Sequence, residues 1–65
     1  MQEYVKRMLV EKDNLVGKIK KAKKAIENPP FGSDEEGINL LTAQVGFMEQ
    51  YLDVLEKRIK HEEEK

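Results

Sequence analysis

Pro29 and Pro30 stand side by side near the middle of a chain of 65 residues that otherwise reads as helix. A proline has no backbone N–H and drives the residue before it out of the helical region. The segment Asn28-Pro29-Pro30-Phe31-Gly32-Ser33 therefore ends any helix that reaches it. On either side, apolar residues recur in steps of three and four. The first series is Met1, Val5, Met8, Leu15, Ile19, Ala22 and Ile26, continuous once Lys12 is counted in it; the second is Ile38, Leu41, Val45, Met48, Leu52, Leu55 and Ile59. Each describes a helix with one buried stripe, over about 2–27 and 33–62. A connection this short favours antiparallel neighbours. The predicted fold is all-α, an antiparallel two-helix hairpin that forms a single domain over residues 1–65.

Folding at Pro30 sets the two stripes against each other in layers: Ile26 with Ile38, Ala22 with Leu41, Ile19 with Val45, Leu15 with Met48, Met8 with Leu55 and Val5 with Ile59. Lys12 falls opposite Leu52, where its stem can stay among apolar neighbours while the ammonium reaches Glu49 or Glu56. Ser33 is expected to cap the second helix and to form a capping box with Glu36, Asp34 and Glu35 adding negative charge to the first turn. Lysines crowd the last turns of the first helix, as its dipole favours. The polar tail 61–65 is expected to fray.

A chain of this size buries too little apolar surface to be comfortably stable alone, and it has no cysteine with which to staple itself. The only histidine, His61, lies beside glutamates, so neither a structural metal site nor a cofactor is expected. Self-association remains. A second apolar row, Leu40, Phe47, Tyr51 and Val54, points away from the hairpin seam, joined on the first helix by Leu9, Val16 and Val10. No intramolecular layer is left to cover it, so these residues are the expected oligomer interface. Gly17 and Gly46 inside helices, each costing about 1 kcal/mol against alanine, fit a close approach of backbones or of a ligand.

The net charge of −1 conceals an asymmetry. Residues 1–27 carry eight Lys or Arg against four acids, and residues 28–65 carry nine acids against four bases. Five lysines, Lys18, Lys20, Lys21, Lys23 and Lys24, fall within seven residues. They suit either a solvated helix end or a small anionic ligand; a sequence-specific DNA reader would need more charge and a recognition helix rich in Arg, Asn or Gln. With no cysteine nucleophile, no HExxH pair and no phosphate-binding glycine loop, the chain is not expected to be an enzyme. The charged N-terminus MQEYVKRMLVEKD lacks the apolar run of a signal peptide or membrane span, which points to a soluble intracellular protein. Tyr4 lies 14 residues from Lys18, about 21 Å along the helix. Only two antiparallel helices from different subunits would bring a stacking ring of this kind beside the lysines.

The run Tyr4-Val5-Lys6-Arg7, then Glu11-Lys12, Leu15, Lys18-Ile19 and Lys21, followed by Leu40-Leu41, Gln44, Phe47-Met48-Glu49, Tyr51-Leu52, Val54-Leu55-Glu56 and Arg58-Ile59, resembles the helical-hairpin domain of bacteriophage anti-defence sponges. These proteins counter the CBASS and Thoeris immune systems. The resemblance covers about residues 2–60 and implies a protein that sequesters a cyclic nucleotide messenger, of the cyclic oligonucleotide or cyclic ADP-ribose type, without cleaving it. It implies a symmetric homo-oligomer, a hexamer being one such arrangement, with ligands held between subunits in the cytoplasm of the infected bacterial host. Tyr4 looks like the family's base-stacking aromatic and Lys18 or Lys21 like its phosphate-binding lysine, with Arg7 one turn from Tyr4 as a further contact. Some relatives carry an additional β-rich portion that has no counterpart here. From the residues alone two other readings stay open. One is a protein-interaction module that docks a partner helix on Phe47, Tyr51 and Val54; the other is a weak nucleic-acid binder using the basic first helix.

Overall fold

A computed structural model describes residues 2–65. It contains two α-helices, α1 (Glu3–Glu27) and α2 (Glu35–Glu63), packed against each other as a hairpin of about 48 × 15 × 13 Å. Helix α1 starts without a side-chain cap: the Gln2 carbonyl accepts from the N–H groups of Val5 and Lys6. It ends where the prolines require, with Asn28 donating to the Lys24 carbonyl at 2.9 Å and then leaving the helical region. The reversal is completed by a turn in which the Ser33 N–H donates to the Pro30 carbonyl. Gly32 takes φ +89° there, a conformation open to glycine and strained for other residues.

The cap of α2 differs from the sequence expectation. Asp34, not Ser33, is the N-cap, and its Oδ1 accepts from the Gly37 N–H at 2.8 Å. Ser33 is one residue too early because its backbone N–H closes the turn with Pro30. A Cβ at Gly37 would stand 2.8 Å from Asp34 Oδ1, so a side chain there would require the capping carboxylate to shift. Asp34→Ala is expected to destabilise the hairpin by about 1 kcal/mol and Ser33→Ala hardly at all, as read from paired thermal melts. Equal effects would return the cap to Ser33. At the other end α2 runs to Glu63, one residue beyond the expected end, and the Glu64 N–H donates to the Lys60 carbonyl.

The seam is built as the two stripes demand. Val5, Met8, Leu15 and Ile19 of α1 are buried with Val45, Leu55 and Ile59 of α2. Ala22, Ile26, Met48 and Leu52 complete the packing around them. Met1, the first member of the α1 stripe, lies outside the described residues. Lys12 solves its mismatch by reaching Glu56 at 3.5 Å, while Glu49 pairs instead with Lys23 at 2.8 Å, so both ion pairs join α1 to α2. Among the described residues, no helix is long and apolar enough to cross a membrane, and no cluster of acids and histidine has the arrangement of a metal site.

Candidate functional site

One edge of α1 carries Arg7, Glu11, Asn14 and Lys18, at spacings of four, three and four that put them on a single helix face. Beside this edge the two helices leave a groove of about 320 Å³, lined by Arg7, Val10, Glu11, Asn14, Leu15, Lys18 and Tyr51. Two of the four expected ligand-binding residues, Arg7 and Lys18, thus share one groove, together with an aromatic ring contributed by α2. Lys21 is exposed and lies outside it. Among the described residues, neither Arg7 nor Lys18 has a carboxylate within ion-pair distance, whereas Lys12 and Lys23 are committed to glutamates across the seam. The groove therefore offers two uncommitted cations, with Asn14 able to donate or accept between them and Glu11 as a local counterweight.

Tyr4 sits elsewhere, at the open end of the hairpin, against the last turn of α2. Glu62 is drawn below the ordinary carboxylate range first by the Lys65 ammonium, 2.8 Å from its Oε2, and further by the Tyr4 hydroxyl and by His61. Lys65 is raised in turn, chiefly by Glu62. Tyr4 keeps about two fifths of its surface exposed, enough to leave part of the ring open to a stacking partner. Within one chain it and Lys18 do not share a groove, as the helical rise already required.

The outer apolar row is left bare. Leu40, Phe47, Tyr51 and Val54 are all exposed, Phe47 by 70%. Leu40, Ala43, Gln44, Phe47, Met48 and Tyr51 line a second, almost wholly apolar groove of about 460 Å³. Of the α1 residues assigned to the same interface, Val10 is exposed, but Leu9 is partly buried against the hairpin core and Val16 is half-buried. The interface row is thus largely a property of α2. Gly17 and Gly46 have nothing within 4 Å of where a Cβ would stand, so no close approach within the hairpin accounts for either. Two features escaped the sequence reading. Tyr51 borders both grooves, and Phe31 in the turn is fully exposed. The spacing of Arg7, Glu11, Asn14 and Lys18 could have revealed the α1 edge, whereas Tyr51 joins it only through the packing of the two helices.

The chain is thus a two-helix hairpin with a groove lined by Arg7 and Lys18 and an exposed apolar face on α2. It belongs to the Sequestin family, whose model matches residues 2–61. No curated protein and no solved structure matches it.

Proposed function

We propose that the protein is a non-enzymatic sponge for a cyclic nucleotide messenger. It holds a cyclic di- or trinucleotide, or a cyclic ADP-ribose isomer, between copies of itself and so keeps it from the immune receptors of a phage-infected bacterial cell. The observation that carries this reading is the groove in which Arg7, Asn14 and Lys18 flank Tyr51: cations for phosphate, an amide for a base or ribose edge, and a ring for stacking. The family name, which denotes sequestration, and the resemblance to anti-defence sponges support the same direction. A groove of about 320 Å³ lies at the small end of ligand sites. A second subunit is thus needed to enclose a ligand of two or more nucleotides, and its Tyr4 is the further ring it can bring.

Sequestration needs no chemistry on the ligand. It works by mass action, so an abundant small protein that outcompetes the receptor suffices. Binding to the folded oligomer alone raises the melting temperature, by on the order of 10 °C at ligand concentrations a hundred times Kd. The expected result is such a shift, with matching calorimetric heat, for at least one member of a panel of cyclic di- and trinucleotides and cyclic ADP-ribose isomers, and with the ligand recovered unaltered by chromatography. A panel that gives neither shift nor heat ends the sponge reading and leaves the protein-interaction module, which the apolar groove along α2 favours.

A further inference from the structure

Helix α2 carries a charge pattern along its exposed face that the hairpin does not use. The apolar row Leu40, Phe47 and Val54 repeats at intervals of seven, with Ala43 and Tyr51 beside it. Glu36 extends the same face toward the N-terminus, with Asp34 and Glu35 nearby, and Arg58 extends it toward the C-terminus, where Lys57, His61 and Glu62 lie beside it, Lys57 paired with Asp53 and Glu62 with Lys65. The face is acidic at one end and apolar in the middle, and Arg58 is the unpaired charge at the other. Among the described residues, Glu36 and Arg58 have no ion-pair partner.

We propose that this face is covered by the same face of a second copy, the two α2 helices running antiparallel across a two-fold axis that passes close to Phe47. In that register the Phe47 rings meet each other at the axis, Leu40 lies beside Val54 of the second copy, and the small Ala43 lies beside the large Tyr51. Glu36 comes opposite Arg58 at both ends. A parallel pairing would set Glu36 against Glu36 and Arg58 against Arg58, and an antiparallel pairing slipped by seven residues would leave both ion pairs unmade and part of the apolar row bare. From Glu36 to Arg58 the paired face runs about 33 Å, against a long axis of 48 Å for the hairpin. The self-complementary pattern is what a two-fold interface between identical surfaces requires. Because Tyr51 borders both this face and the basic groove, the second copy would also wall that groove on its α2 side. The pairing shares with the sponge reading only the need for a second copy and is tested without any nucleotide, so either can fail without the other.

The chain has no cysteine, which makes the register directly readable. Under mild oxidation Phe47→Cys is expected to form a disulfide-linked dimer, and an equimolar mixture of Leu40→Cys and Val54→Cys chains to yield the mixed dimer in excess over either self-linked one, because a disulfide needs Cα atoms within about 7 Å. Preferential self-linking of Leu40→Cys, or no linking of Phe47→Cys, overturns the register. In sedimentation velocity, Glu36→Arg and Arg58→Glu are each expected to weaken association roughly tenfold while leaving the circular dichroism of the hairpin unchanged, and the double variant to restore it. A wild-type chain that sediments as a monomer at all accessible concentrations, or a double variant no better than the singles, overturns the pairing itself.

Discussion

A Leu55→Ala chain is expected to be largely unfolded at 25 °C, its far-ultraviolet helical signal falling to a small fraction of the wild-type value. Among the described residues Leu55 is the one side chain with no exposed surface, and it sits in the buried cluster with Met8, Leu15, Ile19, Val45 and Ile59. Truncating a leucine in such a place removes about 3–5 kcal/mol, the larger values arising where neighbours cannot collapse into the gap. Two helices in contact along one seam have few ways to do so without sliding against each other. A single small core seldom supplies more than about 3–5 kcal/mol in a chain of this size, so the loss is comparable to the whole. Lys57→Ala, which breaks the solvent-exposed pair with Asp53 at 2.9 Å on the same helix, is the matched control and should melt close to the wild-type chain. If Leu55→Ala melts with the wild-type chain, the seam is not where the stability resides.

A second large effect is expected at the groove lined by Arg7 and Lys18. Arg7→Glu combined with Lys18→Glu is expected to weaken the proposed messenger binding by on the order of a hundredfold or more, because the two charge-assisted contacts to phosphate that the proposal assigns to them would become two repulsions. Both side chains are exposed and neither pairs across the seam, so helicity should survive, and calorimetry can be read directly as a loss at the site. Lys20→Glu provides the comparison that separates site from field. It alters the net charge as much as Lys18→Glu does but lies outside the groove, and at physiological salt its influence is screened beyond about 8 Å. Equal losses from Lys18→Glu and Lys20→Glu would mean that the lysine run attracts anions as a diffuse patch, as the nucleic-acid reading requires. No loss from either, with partner docking retained, would favour the interaction module.

Much of the fold was legible because helical periodicity and a proline pair are local signals. The apolar steps placed Val5, Met8, Leu15 and Ile19 against Val45, Leu55 and Ile59, and Pro29 and Pro30 fixed where the chain must turn. Lys12 was placed correctly against the seam, with Glu56 as one of its two expected partners, since the reach of a lysine follows from its register. The cap was misplaced by one residue because Ser33 and Asp34 are both good caps by type; the choice depended on the turn that uses the Ser33 N–H. Leu9 was assigned to the outer face because its position lies off the main stripe, yet the neighbouring helix is close enough to shelter it.

The two helices, their antiparallel arrangement and the second apolar row all follow from spacing along one chain. Which of the expected binding residues lie together came instead from how the helices pack. Arg7 and Lys18 share a groove with Tyr51, while Tyr4 lies near Glu62 at the open end and Lys21 stays outside. The physical reason is that a groove between helices is a property of their rotation and separation, set by the summed packing of the seam. No single spacing in the chain encodes it.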